Sequence, residues 1–220
     1  GASPSGTQIA CGSQANEFFG TAVAGAGDGD GDGLPDVLVG APLFDGISGL
    51  DAGAVTLFYG GASLTARPPL LLQGTSAGES FGKAVAGAGD VNGDGFADVL
   101  VGSPYASPSA PASGRAQLFR GGAGALQSTA SWSTSCGVQA NGLCGSAVAG
   151  AGDVNGDGLD DVLIGEAVWA ASKSLLSGIA VLLVATALGL AQSWLALWAL
   201  PVVFLTGLAF ASLGLVVTAL

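Results

Sequence analysis

Phe81-Gly82-Lys83-Ala84-Val85-Ala86-Gly87-Ala88-Gly89-Asp90-Val91-Asn92-Gly93-Asp94-Gly95-Phe96-Ala97-Asp98-Val99-Leu100-Val101 is the stretch that decides the fold. It enters through alternating tiny and branched residues, turns in an acidic glycine-rich loop, and leaves in a β-branched run. Its first half recurs upstream as Phe19-Gly20-Thr21-Ala22-Val23-Ala24-Gly25-Ala26-Gly27-Asp28. It recurs downstream as Cys144-Gly145-Ser146-Ala147-Val148-Ala149-Gly150-Ala151-Gly152-Asp153. The first loop aspartates lie 62 and then 63 residues apart, and a fixed period of this size marks stacked structural repeats. The approach repeats too, since Cys11, Gln14, Ala15 and Asn16 match Cys136, Gln139, Ala140 and Asn141 at a shift of 125.

Each copy continues as D-x-[DN]-x-D-G-x-x-D. The first loop offers Asp28, Asp30, Asp32 and Asp36, the second Asp90, Asn92, Asp94 and Asp98, the third Asp153, Asn155, Asp157 and Asp161. Calcium takes six to eight oxygens at about 2.3–2.6 Å, and alternate side chains of a tight loop converge on one point. Positions 1, 3 and 5 supply side-chain oxygens, and the glycine at position 6 (Gly33, Gly95, Gly158) permits a sharp turn. Position 7 (Leu34, Phe96, Leu159) offers its carbonyl, and the aspartate at 9 closes the shell. Three calcium sites are expected. An EF-hand is excluded, because it needs a glutamate at position 12, where Val39, Val101 and Ile164 stand. These runs, Val37-Leu38-Val39 and its two counterparts, read as buried strands, so each loop joins two strands. The tiny residues of 22–27, 84–89 and 147–152 suit strands packed close to another backbone.

Phe-Gly, the acidic loop, and then Gly40-Ala41-Pro42 or Gly102-Ser103-Pro104 resemble FG-GAP repeats, the blades of the integrin α-subunit β-propeller. Gly53-Ala54-Val55-Thr56-Leu57-Phe58-Tyr59-Gly60 and Gly114-Arg115-Ala116-Gln117-Leu118-Phe119-Arg120-Gly121 fit the next strand of such a blade. The resemblance covers about residues 8–165, with blades around 19–60, 81–121 and 144–165. It implies structural calcium in the loops and a propeller serving adhesion or ligand recognition. The expected fold is mainly β: a partial integrin-alpha-like β-propeller of about two and a half blades. Such a stack cannot close, and reads as a propeller fragment, an open stack or part of an assembly.

Composition narrows the function. The net charge is −11, from 16 acids and five bases, and 11 of the acids lie in the three loop windows. So few basic residues leave no nucleic-acid footprint. The absence of histidine removes Ser-His and Cys-His nucleophiles. Gly74-Thr75-Ser76-Ala77-Gly78 matches a nucleophile-elbow pattern but, without histidine, reads as a turn. The chain is read as a non-enzyme. Without methionine and starting at Gly1, it reads as an excerpt of a longer product or a processed one. Cys136 and Cys144 could close a small disulfide loop, leaving Cys11 over; three unpaired small hydrophobes are the other reading.

Beyond Lys173 the chain carries 47 residues without a charge. Runs 175–191 and 194–220 are each long enough to span a bilayer, which predicts an α-helical transmembrane hairpin over 166–220, contacting lipid from 174. Glu166-Ala167-Val168-Trp169-Ala170-Ala171 through Gly207-Leu208-Ala209-Phe210-Ala211-Ser212 resembles a membrane stretch of type-2 ABC exporter permeases. Gly165 is read as a junction, after which the third blade is not completed. The leading expectation is a calcium-binding extracytoplasmic recognition or adhesion module tethered to a membrane; the alternative is a fragment of an exporter permease with an FG-GAP appendage. Cytosolic calcium is too low for weak structural sites, which places 1–165 outside the cytoplasm, although Lys173 points the other way under the positive-inside rule. The expected ligand is an extracellular protein or glycan. Neither an Arg-Gly-Asp sequence nor a glycosylation sequon names it further.

Overall fold

A computed structural model of the chain describes residues 12–61, 67–136, 140–166 and 216–218. The first sheet has strand order β1 (Ala22–Gly27), β2 (Asp36–Ala41), β3 (Ala54–Phe58), β4 (Leu70–Gln73). The second repeats it with β5 (Ala84–Gly89), β6 (Asp98–Ser103), β7 (Arg115–Phe119), β8 (Trp132–Thr134). The third contains β9 (Cys144–Gly152), β10 (Asp161–Glu166) and β11 (Val216–Thr218). All pairings within the sheets are antiparallel, as the reading of strand–loop–strand units expects. The fold is mainly β, and no helix occurs among the described residues.

Two features depart from the sequence reading. The blades extend past 60 and 121, because β4 and β8 add a short outer strand to each. Leu70-Leu71-Leu72 and Trp132-Ser133-Thr134 share no residues, so nothing in the repeat reveals them. The other departure lies in the tail. Val216–Thr218, expected within a membrane helix, is instead a strand against β10, with Val162 opposite Thr218 and Ile164 opposite Val216. It stands where β3 and β7 stand in their sheets, so at these three residues the expectation that the tail adds no strand to the third blade is corrected. The physical reason is local: Val, Val and Thr are strand formers, and β10 would otherwise present an unpaired edge. The expected helices over 167–215 and the final two residues lie outside the described residues. Among those described, no helix is long and apolar enough to cross a membrane.

The sheets stack face to face through two cores. Alternation along β6 sends Val99 and Val101 toward the first sheet and Leu100 toward the third. In the first core they meet Leu38, Val55, Leu57 and Leu72, with Phe81 inserted and edge-on to Phe119 at 5.9 Å. In the second core Leu100 and Leu118 meet Val162 and Ile164, and Cys144 takes the place of Phe81. Each inserted residue pairs with the neighbouring sheet through a glycine, Phe81 with Gly53 and Cys144 with Gly114. Cys136 and Cys144 form a disulfide with Cα atoms 5.5 Å apart, which decides between the two cysteine readings. Cys11 lies outside the described residues.

Glycines let the inner strands touch backbone to backbone. A methyl on Gly87 would stand 2.6 Å from the Gly25 carbonyl oxygen, and one on Gly150 2.5 Å from that of Gly87. At the next contact a methyl on Gly40 would meet the Gly82 carbonyl at 2.1 Å, and one on Gly102 the Gly145 carbonyl at 2.0 Å. Gly25, the first-sheet counterpart of Gly87, faces open space. Gly102→Ala is therefore expected to cost about 1–3 kcal/mol in urea unfolding, as overpacking does. Gly25→Ala should stay within about 0.5 kcal/mol of wild type. Equal effects at the two positions would contradict the stacking described.

Candidate metal centre

Each loop begins at a bulge. The β1–β2 register shifts between Gly25 and Gly27, the β5–β6 register between Gly87 and Gly89, and the β9–β10 register beside Asp161. Gly27, Gly89 and Gly152 sit at φ of 72°, 74° and 69°, a region open to glycine, and re-aim the chain so that the next residue starts the loop.

That residue, an aspartate, becomes the hub. Asp28 Oδ1 accepts hydrogen bonds from Gly31 N (2.7 Å) and Asp32 N (3.1 Å), and its Oδ2 from Gly33 N (2.8 Å). Asp90 receives the same three from Gly93, Asp94 and Gly95, and Asp153 from Gly156, Asp157 and Gly158. Position 5 caps the following amide: Asp32 accepts from Leu34 N, Asp94 from Phe96 N and Asp157 from Leu159 N. The position-3 oxygen of Asp30, Asn92 or Asn155 accepts from the position-5 amide. Glycine is needed at position 4 as well as 6, for Gly31, Gly93 and Gly156 all have φ between 75° and 78°. The sequence reading passed over position 4, although it is glycine in every copy.

Oxygens of Asp28, Asp30 and Asp32 lie within 4.8 Å of one another. Two ligands on opposite sides of a calcium ion are separated by about that distance, and an all-oxygen donor set suits a hard cation. These residues fit the metal.

The aspartate at position 9 has a bracing role that the sequence did not suggest. Asp36 is fully buried, accepting from Gly29 N (3.1 Å) and from Gly60 N (2.8 Å) beyond β3. Asp98 is held identically by Val91 N and Gly121 N. Each carboxylate ties the loop's start to the end of the third strand. Asp161 accepts from Val154 N and the Asn155 amide instead. Burial pushes the Asp36 and Asp98 carboxyls above the usual 3.8, their backbone donors oppose this, and the other loop aspartates push them further up. A cation among those aspartates would relieve that pressure.

The loops also interlock across sheets. Ala97 N donates to Asp28 O (2.9 Å), and Asp160 N to Asp90 O (3.1 Å). A methyl on Gly31 would stand 2.5 Å from the Phe96 ring, and one on Gly93 3.0 Å from Leu159. The position-7 side chains, read from sequence only as carbonyl donors, thus also cover the preceding loop.

Asp98→Asn should reduce stability in chelator-treated protein by about 2–3 kcal/mol, because its amide nitrogen leaves one buried donor facing another. Asp94→Asn, exposed and still accepting through its oxygen, should cost less than about 1 kcal/mol. Urea unfolding in EDTA makes the comparison, and a larger loss at Asp94 would contradict these roles.

Residues 19–58 and 81–126 match the FG-GAP repeat family, while the third copy lies outside the matched residues. Integrin alpha-IIb of Mus musculus is 33% identical over 168 residues, 74% of this chain and 16% of that protein. Integrin alpha-5 of Xenopus laevis is 32% identical over 165 residues, 70% of this chain and 15% of that protein. Nodulation protein J of Rhizobium leguminosarum bv. trifolii is 60% identical over 63 residues, 28% of this chain and 24% of that protein. The chain spans about a quarter or less of the length of these relatives. Residues 19–58 and 81–126, built as antiparallel sheets, are therefore similar to FG-GAP repeats, and the chain is similar to a portion of integrin alpha chains.

Proposed function

We propose that residues 1–165 form a calcium-binding extracytoplasmic recognition or adhesion module, joined to a membrane by the apolar tail. The observation that carries it is the convergence of Asp28, Asp30 and Asp32 oxygens within 4.8 Å, in a loop whose hydrogen-bonded frame recurs in all three copies. In each loop, positions 1, 3 and 5, the position-7 carbonyl and the aspartate at position 9 hold the ion. The ion's role is structural: it offsets the clustered charge and fixes loops that bind neighbouring sheets. The module's partner is an extracellular protein or glycan.

A second reading, a fragment of an exporter permease bearing an FG-GAP appendage, is supported by the 47 uncharged residues after Lys173. In that reading residues 166–220 are permease-like membrane segments. Sequence continuing into further apolar helices beyond Leu220 would favour it.

Calorimetric titration of the chain with calcium should give a stoichiometry near three. Asp32→Ala, Asp94→Ala and Asp157→Ala should each remove one site. At a hundredfold excess over the dissociation constant, each filled site adds about 2.7 kcal/mol of stability, so the melting temperature should rise with calcium and fall back with EDTA. Binding unchanged in all three variants sinks the calcium assignment. Protease added to intact cells should cut the repeats; protection there would refute the extracytoplasmic placement.

A further inference from the structure

The three loops are not equivalent in charge. Asp30 occupies position 3 of the first loop, where Asn92 and Asn155 occupy it in the others. Asp30 is 5% exposed, so its extra carboxylate is held away from water. Such a charge is strongly unfavourable unless paired.

Arg67 pairs with it. One guanidinium nitrogen bonds Asp30 Oδ2, the other bonds the Gly124 carbonyl, and the plane stacks 3.6 Å above the Tyr59 ring centroid. Asp30 Oδ1 faces the other way and accepts from Asp32 N. One carboxylate oxygen is thus turned to the arginine and the other into the loop.

The second repeat supplies an internal comparison. Leu70 pairs with Leu57 and Trp132 with Leu118, which aligns Arg67 with Thr129. Where the loop carries aspartate the outer segment carries arginine, and where it carries asparagine the outer segment carries threonine. Four aspartates and one arginine leave the first loop with a net charge of −3, equal to that of Asp90, Asp94 and Asp98 in the second.

We propose that Arg67 is the built-in counter-charge of the first loop: it orients Asp30 and sets the loop's affinity for a divalent cation near that of the second loop. This rests on the calcium reading above. Arg67 is a positioning residue, acting on the ion through Asp30. Its second bond, to Gly124, also fastens the loop to the segment after β7, where Gly124 N already donates to Asp30 O at 2.8 Å.

The test is a double-substitution cycle on the whole chain with Arg67→Gln, Asp30→Asn and both together. Calcium is titrated calorimetrically, and the first-loop site is recognised as the one lost in Asp28→Ala. A unit charge about 6 Å from a doubly charged ion alters its binding about tenfold in water-like surroundings. Arg67→Gln should therefore tighten first-loop binding about tenfold, and Asp30→Asn, which removes a liganding charge, should weaken it by at least about tenfold. Without Asp30 the arginine loses the anchor that holds it beside the loop, so in the Asp30→Asn background Arg67→Gln should change the affinity by less than about threefold. Arg67→Lys, which keeps the charge but not the fork, should stay within about threefold of wild type. The sites of the second and third loops should not move. Unchanged affinity in Arg67→Gln, or single effects that simply add, would overturn the proposal. Thermal unfolding of the same variants in EDTA reads the pair without metal: the two single losses in melting temperature should exceed that of the double variant. Equal losses there refute the pairing. Wild type binding no calcium at any loop overturns the calcium reading itself, and the EDTA cycle still reports on the pair.

Discussion

The inner strands β1, β5 and β9 lie backbone against backbone, and the rest of the stack is arranged around that contact. Gly87 and Gly150 each present no side chain where the neighbouring carbonyl passes. At so short a separation the sheets enclose cores made largely of valine and leucine, with Phe81 inserted against Phe119. The same closeness brings the starts of successive acidic loops within hydrogen-bonding range. The amide before the last aspartate of one loop reaches the first carbonyl of the loop before it. Packing and site geometry are therefore one problem, solved by the same small residues.

Electrostatics sets the second constraint. Aspartates occupy positions 1, 5 and 9 of every loop, and those at 1 and 9 are of two kinds. Asp36 and Asp98 are buried and spend their oxygens on amides from the loop's start and from beyond the third strand. Asp28, Asp90 and Asp153 organise the turn itself. The first kind is a structural brace, raised in pKa by desolvation, and the second kind faces the space an ion would occupy. A cation would act on both at once, which is why loss of metal and loss of a brace are expected to look alike unless measured separately.

Much of this was legible in the chain itself. The recurrence of Phe-Gly, the nine-residue acidic pattern and the β-branched run gives the strands, their antiparallel pairing and the close inner contacts. What was not legible depends on partners that do not repeat. β4 and β8 have unrelated sequences, so the fourth strand expected of each blade could not be placed from the repeat. Arg67 lies 37 residues from Asp30, and its partner in the second repeat is a threonine, so only three-dimensional proximity reveals the pair. The bracing role of position 9 was not legible, because a carboxylate's ligand valence is visible in sequence whereas the amides of Gly60 and Gly121 are not. Val216–Thr218 was read by the hydropathy of its surroundings, while an unpaired edge on β10 offered a different partner.

The disulfide between Cys136 and Cys144 links the segment just after β8 to the first residue of β9. Mechanically, that makes the second and third sheets one tensile unit. A pull along the chain would be transmitted through the sulfur bridge without first drawing out the intervening residues, each of which would otherwise lengthen the chain by about 3.4 Å. Between the first and second sheets the residues from Gly74 to Ser80 have no such bridge, and load there falls on hydrogen bonds and on the half-buried Glu79–Arg115 ion pair. Under force, the chain should part between the first two sheets before the last two, and reducing agent should erase that order.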